Sequence, residues 1–450
     1  MNIALCHYRV GETDGVSLEM EKWKIALEKM GHKVFYLAGS KGTRDAYIIP
    51  ELQYKQSENL KFIENAYVAI EDYSDEKEMQ RALEKYTEKL ENHLEEFIKK
   101  LKIDVLIPNN IWSRGWNLPA AVGFYNVIKK CNVKCIAHHH DFYWERDKFK
   151  KGTSDFINKC LDTYSPPDDP LIKHVVINEL TRKELKKRKK IEAVVVPNVF
   201  DFSAPLWMLD NYNADFRKTV GVDQNDILIL QATRIVERKA IELAIDVVGE
   251  MLKKDNLNTL YSNKLYDGRQ FRKENKIIFV LAGLHEFSSR YIELLKERAS
   301  NCKVKLLFIN ELIEDVRCNK NGEKCYSLWD AFASCDIVTY PSIWEGWGNQ
   351  FLETVFAKKP VIVYEYPVYL TDIKNKNFDI ISLGSEYEVC QNGLVKIDMQ
   401  RIKNASKQSI DILIDNDLRS KVVNKNFEIA KNNFSYKNLE DILKRTLNNI

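Results

Sequence analysis

The sequence has no apolar run approaching the ~20 residues that a membrane-spanning helix needs. It also lacks charge of one sign. The 68 Lys and Arg face 65 Asp and Glu, a formal net charge of +3. A protein that holds nucleic acid electrostatically carries a larger and more clustered basic excess, so that class is set aside. Glycine and proline are sparse, at 17 and 11 in 450 residues, which excludes a collagenous or low-complexity chain. With 45% hydrophobic and 30% charged residues, the chain is not wholly disordered either. Its nine cysteines are odd in number and scattered, and Cys6, Cys135 and Cys335 sit inside apolar runs. They read as small hydrophobes of a reducing, cytoplasmic protein, not as a disulfide framework. The opening residues MNIALCHYRV lack a basic segment and a long apolar stretch, so no secretory leader is expected. No internal repeat is visible.

What the sequence does contain is an α/β rhythm. Residues 2–6 form a short apolar run of strand length, followed by a loop with two glycines, RVGETDGVS. Met20, Trp23, Leu27 and Met30 then recur at helical spacing, Gly31 stands where a helix ends, and 33–38 reads as the next strand. Strand, loop, helix and strand make a βαβ unit and imply a parallel sheet. A long amphipathic helix is expected over 75–101, with Met79, Leu83, Tyr86, Leu90, Leu94 and Phe97 on one face. Strands are expected at 105–108, 133–137, 174–177 and 193–196, with a helix at 118–130. Residues 199–218 break the rhythm and read as a linker. A second series follows, with strands at 227–231, 277–282, 304–309, 337–340 and 361–363. The polar stretch 253–275 reads as an exposed insertion, and 400–450 as helices. The expected organisation is two doubly wound domains, 1–198 and 219–432, with a last helix at about 433–450.

Ligands in such folds bind beyond the carboxyl ends of the strands. After strand 337–340 comes PSIWEGWGNQFLETVFAKKP, in which Glu345 and Glu353 are eight residues apart and Gly346 and Gly348 lie between them. Glycines let backbone approach a ligand, and a helix beginning near Asn349 offers unpaired N–H groups to an anion. The bland alternative is a glutamate that favours the helix dipole. After strand 227–231 comes ATRIVERKAIELAIDVV, with Arg234 and Lys239 five apart before a helix and Arg238 able to share their role. Two cations ahead of a helix N-terminus outline a diphosphate site, against the alternative of a solvated basic turn.

Together EGWGNQFLE, the spaced Arg and Lys, the glycine loop after the first strand and the segment VVPNVFDF resemble the retaining nucleotide-sugar glycosyltransferases of GT-B fold, family four. The resemblance implies two Rossmann-like domains facing across a cleft, with the C-terminal helix returning to the N-terminal domain. It implies a donor on the C-terminal domain and an acceptor on the N-terminal one. Arg234 and Lys239 would bind the donor diphosphate and stabilise it as it leaves. Glu353 would bind ribose and Glu345 the donor sugar, beside Gly346, Gly348 and Asn349. Gly15 would approach the phosphates or the sugar. The family's strand-end histidine maps to HHHDFYWER as His140, followed by Asp141, with His138 and His139 as alternatives. Adjacent histidines point in different directions, so no metal is expected, and the donor substrate is the only cofactor-like ligand.

Trp344 and Trp347 flank Glu345, where the family has smaller residues or Phe. Trp112, Trp116 and Trp144 lie on loops after N-domain strands and suggest a carbohydrate acceptor, although loop packing explains each one equally well. Arg114 and Arg146 suggest an acceptor carboxylate or phosphate, and Asp141 is a further acceptor-side candidate. Asp415-Asn416-Asp417 reads as a turn and cap, not a metal site, and Cys318 and Cys325 read as residues of a polar loop without a partner pair, so zinc is not indicated. The basic run 182–190 reads as a solvated helix face, with weak peripheral membrane contact as the alternative. The function expected is metal-independent, retaining transfer of a hexose from a nucleotide-diphosphate sugar, such as UDP-glucose or GDP-mannose, to a small polar or carbohydrate acceptor. The alternatives are a sugar-nucleotide epimerase and a non-catalytic nucleotide-sugar-binding protein.

Overall fold

A computed structural model describes residues 1–12, 14–283, 289–320 and 322–450. The chain forms two compact units, one of Met1–Val199 with Tyr436–Ile450 and the other of Phe200–Ser435.

The first unit is built on a parallel sheet of β1 (Asn2–Val10), β2 (Lys33–Lys41), β3 (Tyr47–Ile48), β4 (Val105–Pro108), β5 (Lys134–His139), β6 (Ile172–Val176) and β7 (Ala193–Val195), in the order β3-β2-β1-β4-β5-β6-β7. The helix Glu76–Leu101 buries the expected face, Met79, Leu83, Tyr86, Leu90, Leu94 and Phe97. Asp75 caps it through the Glu78 N–H. Leu90, Leu94 and Phe97 share a core with Phe124 and Val127 of the helix Leu118–Cys131. On the opposite face the last helix, Tyr436–Asn448, sets Leu439, Leu443 and Leu447 against Met20, Trp23 and Leu27 of the helix Gly15–Lys29. A Lys29–Glu440 ion pair of 2.7 Å accompanies that packing. The chain's last helix therefore completes the core of the first unit.

The second unit contains β8 (Ile227–Gln231), β9 (Ile277–Leu281), β10 (Lys305–Phe308), β11 (Ile313–Glu314), β12 (Cys318–Lys320), β13 (Glu323–Ser327), β14 (Ile337–Tyr340), β15 (Val361–Val363) and β16 (Ile381–Ser382). Its main sheet is parallel, in the order β10-β9-β8-β14-β15-β16. Both sheets reverse strand order once, between β1 and β4 and between β8 and β14. In a doubly wound sheet such a reversal leaves a crevice at the carboxyl ends of the two strands.

Three sequence expectations change. Residues 200–218 are not a bare crossing, because Phe200, Phe202 and Trp207 pack with Phe356 in the second unit at centroid distances of 4.9 to 5.9 Å. Residues 253–275 are not an exposed insertion. Leu260, Leu265 and Phe271 are buried, and Tyr266 and Arg269 reach the buried Asp336. Cys318 and Cys325 lie on β12 and β13 as register partners, not in a loop. Two- and three-residue strands such as β11 and β12 are too short to show a periodicity.

Candidate active site

In the second unit, β8 and β14 are neighbours, so the loops that follow them meet. The first loop climbs from Ala232 to a left-handed Ala240, φ 45°, where the helix Ile241–Met251 starts. Arg234 is exposed on it, Arg238 is half-buried, and Lys239 is 3% exposed. The second loop, 341–348, carries Glu345, which is 8% exposed. Lys239 Nζ donates to Glu345 Oε1. Arg238 Nη1 donates to Glu345 Oε2 at 3.0 Å and to the Trp344 carbonyl at 3.0 Å. The Ile343 N–H donates to the Arg238 carbonyl at 3.0 Å, which ties the two loops through backbone as well. Burial alone would raise the Glu345 carboxyl. Lys239 and then Arg238 outweigh it and hold the group below the ordinary carboxylate value.

The glycine of this loop that the fold itself requires is Gly348. It has φ +127°, and a Cβ there would lie 2.2 Å from Tyr366 Oη. That hydroxyl donates to the Trp347 carbonyl at 2.8 Å and so holds the turn. The helix Asn349–Phe356 then begins, with Glu353 half-buried one turn in. Trp347 is buried against Phe434, whereas Trp344 is 52% exposed.

In the first unit, the loops after β1, β4 and β5 hold the polar residues. Asp14 caps the helix Gly15–Lys29, accepting from the N–H groups of Val16 and Ser17 and from Ser17 Oγ. A Cβ at Gly15 would meet no heavy atom within 4 Å, so packing does not demand glycine there. Thr13, in the same loop, lies outside the described residues. The histidines alternate as residues of a strand must. His138 and His140 share a face, with ring centroids 4.2 Å apart, and His138 stacks on Trp23 at 4.3 Å. His139 faces the other way, bonded to Ser113 Oγ at 2.6 Å and to His174 Nδ1 at 3.0 Å. His140 is the least buried of the three, at 9% exposed.

Asn109 and Asn110 organise this corner, and the sequence reading passed over them. Asn110 is left-handed, φ 56°, and its side chain accepts the His140 N–H at 2.8 Å and donates to Asp141 at 3.1 Å. His140 Nε2 lies 3.4 Å from Asn109 Oδ1, and His7 Nδ1 donates to the Asn109 carbonyl at 2.7 Å. A tandem Asn at a strand end, where left-handed backbone is tolerated, was the available signal. Burial, then neighbouring His7, pushes His140 down to about 3, and burial takes His7 down to about 4. Both rings are therefore neutral near pH 7.

Asp141 bridges Arg114, at 2.5 Å, and Arg146, at 2.7 Å. Arg114 also lies over the Trp116 ring, 4.3 Å from its centroid. Two of the aromatic acceptor candidates are already occupied. Trp112 is a core residue, 1% exposed, with its indole N–H given to the Ala121 carbonyl at 2.8 Å, so it has no face for a sugar. Trp144 is half-buried and stacks on Phe142 at 4.2 Å. Asp415 caps the helix Asn416–Asn433 through the Leu418 N–H. The basic run lies on the helix Glu179–Lys189, where Arg182, Lys186 and Arg188 pair with Glu179, Glu192 and Glu184. Among the described residues no three His, Cys, Asp or Glu side chains converge as a metal site, and no helix is long and apolar enough to cross a membrane.

The family model described as glycosyl transferases group 1 matches residues 213–428, which include both loops of the Lys239–Glu345 cluster. A mannosylglucosylglycerate synthase of Petrotoga mobilis is 43% identical over 97% of this chain and 99% of its own length. The chain belongs to the group 1 glycosyl transferases. A second mannosylglucosylglycerate synthase, from Thermotoga maritima, is 41% identical over 99% of each chain. Among solved structures, a glycosyltransferase from Rickettsia africae matches 99% of this chain and 97% of its own, with TM-score 0.61 and 16% identity. That likeness bears on the fold, which is GT-B, with two Rossmann-like units. In this glycosyltransferase Arg234 and Lys239 lie on one of the two loops that meet at the β8–β14 reversal, Glu345 lies on the other, and Glu353 lies on the helix that follows it.

Proposed function

We propose that this enzyme makes mannosylglucosylglycerate, moving a mannosyl group from a nucleotide-diphosphate sugar to glucosylglycerate with retention of configuration and without a metal ion. The product is that for which its two relatives are named. The observation that carries the reading is the buried Glu345 paired with the buried Lys239 and the half-buried Arg238. Lys239 and Arg238 stand at the carboxyl end of β8, where a doubly wound sheet binds its ligand.

Two cationic side chains, Lys239 and Arg238, against the one carboxylate of Glu345 leave an excess that suits the ionised phosphates of the donor, and Arg234 lies on the same loop. Positive groups fixed in a buried site stabilise charge that develops on the leaving diphosphate, so protein cations take the part a metal plays elsewhere. The start of the helix Asn349–Phe356, at the end of the same loop as Glu345, adds a dipole that favours an anion. Glu353 takes the ribose and Glu345 the sugar hydroxyls. Gly15 is glycine for the sake of the ligand, since no protein atom requires it.

On the first unit, His140 is neutral and held by Asn109 and Asn110, which suits hydrogen bonding to a sugar better than proton transfer. Arg114 and Arg146 suit the glycerate carboxylate, with Asp141 fixing their guanidinium groups. Double displacement needs a carboxylate nucleophile on the face opposite the leaving group. Glu345 is taken up by Lys239 and Arg238, and the strand-end position holds histidine. The acceptor therefore attacks the face from which the diphosphate departs, and its hydroxyl proton passes to that diphosphate.

The test is incubation of the purified enzyme with UDP-, GDP- and ADP-sugars, alone and with glucosylglycerate, and NMR of the products. One mannosyl donor with glucosylglycerate should yield an α-linked product. Product from donor alone would indicate epimerisation, and a β-linkage would refute retention. The same donors read by thermal shift identify the base, since a ligand at a hundred times its dissociation constant adds about 2.7 kcal/mol.

A further inference from the structure

We infer that Arg238 is a positioning residue for the transfer: it holds the Glu345 carboxylate and the Trp344 carbonyl so that Lys239 can turn to the donor diphosphate. The inference rests on the reading of this cluster as the donor site.

The argument starts from what Lys239 is asked to do. Its ammonium is buried and already donates to Glu345 Oε1. If Lys239 were the sole partner of Glu345, drawing it toward a phosphate would strand a buried carboxylate, which is unfavourable. Arg238 removes that conflict. Its Nη1 holds the other oxygen, Oε2, at 3.0 Å, and the Trp344 carbonyl at the same distance. The planar guanidinium keeps that geometry when the ammonium shifts. The backbone bond from Ile343 to the Arg238 carbonyl sets where the side chain starts, so the contact is fixed at both ends. Glu345 is then presented in one orientation, carrying its charge, whether or not the donor is bound.

The titratable groups that face Glu345 are Lys239 and Arg238 from the first loop, Tyr340 at the end of β14 and Tyr366 beyond β15, with the Ser342 hydroxyl beside them. Neither tyrosine brings a positive charge. Loss of Arg238 therefore leaves Lys239 as the one cation among these groups to hold the carboxylate ionised, and the carboxyl titrates at higher pH.

The experiment measures kcat and donor KM against pH, together with Tm, for the wild type, Arg238→Gln, Arg238→Lys and Glu345→Gln. Arg238→Gln should keep its fold, raise donor KM about tenfold, lower kcat about tenfold, and move the acid limb of kcat up by about one pH unit. Arg238→Lys should return the acid limb close to its wild-type position and recover only part of kcat, since an ammonium restores the charge but not the fork. Glu345→Gln should abolish the limb. Wild-type kinetics and an unmoved limb in Arg238→Gln would overturn the proposal. A fall in Tm with no change in the limb would overturn it too, as a merely structural contact. Should Arg238→Gln not fold, Arg238→Lys decides: full wild-type kcat rejects the role, and reduced kcat with the limb in place supports it. If the wild type itself neither binds nor turns over any nucleotide sugar, it is the donor-site reading that fails.

Discussion

The two units share a sheet topology and differ in what they place at its switch point. In the first unit the strand ends carry buried, neutral imidazoles tied to Asn side chains and to one another. In the second they carry a buried carboxylate between two cations. One fold thus sets neutral imidazoles at one switch point, with Asp141 between Arg114 and Arg146 beside them, and a buried Lys–Glu pair at the other. Hydrogen bonds suit hydroxyls and charge suits phosphate, so the difference suggests which part of a glycosyl donor or acceptor each unit handles. The contrast extends below the site. The second unit buries Asp336, just before β14, among Arg269, Arg217, Tyr266 and the Leu228 N–H, whereas the first stacks Trp23 on His138 near the end of β5.

The largest effect expected is on that buried aspartate. Asp336→Asn leaves Arg217 without its carboxylate partner and Arg269 with Asp267 alone, and urea unfolding should show a loss of about 3–5 kcal/mol. A loss below 1 kcal/mol would mean that the second unit does not depend on internal charge, and the contrast would collapse.

The next effect separates the sites by function. Lys239→Ala should cost on the order of a hundredfold in kcat/KM, with weakened donor binding. His140→Ala should lose most turnover while keeping nucleotide affinity. Steady-state kinetics with titration of the nucleoside diphosphate checks both, and equal loss of nucleotide affinity in the two variants would erase the distinction.

Two glycines extend the comparison. Gly348→Ala meets Tyr366 Oη in a left-handed turn and should destabilise by about 1–3 kcal/mol in thermal or urea unfolding. Gly15→Ala has no such neighbour and should keep its Tm while losing activity. A stable, fully active Gly15→Ala enzyme would remove the ligand from that loop.

Acid should then separate the units themselves. His7, His140 and His174 are held at about 4, 3 and 4 by burial, against an ordinary value of 6.5. The unfolded chain takes up these protons first as pH falls below 6.5, so folding loses about 1.4 kcal/mol per pH unit for each histidine down to about pH 4. Glu345 and Asp336 have depressed values, so their contribution is complete above the ordinary carboxylate range and is lost only below it. Rate-corrected hydrogen exchange should show peptides of the first unit losing protection between pH 6.5 and 4, before those of the second. Simultaneous loss would count against the assignment of charge states. The smallest effect expected is that of chelation: excess EDTA should leave turnover unchanged, and rescue by Mn²⁺ or Mg²⁺ after inhibition would argue for a metal.

The sequence by itself determined the main sheets, the two-fold α/β repetition, the long helix with its buried face and the chemical types at each strand end. Those features are local: a period of 3.6 or 2, a glycine at a turn, a glutamate eight residues from another. Its misses have one cause. Trp112 on an expected ligand loop is core, the polar stretch 253–275 is anchored, and the linker aromatics belong to the second unit, because burial depends on what another part of the chain brings against a residue. Tertiary structure alone decided that Arg238 shares Glu345 with Lys239, and that Asn109 and Asn110 hold His7 and His140. Each of these contacts joins residues about 30 to 110 positions apart at the ends of neighbouring strands, and a one-dimensional pattern carries no record of which loops a sheet brings together.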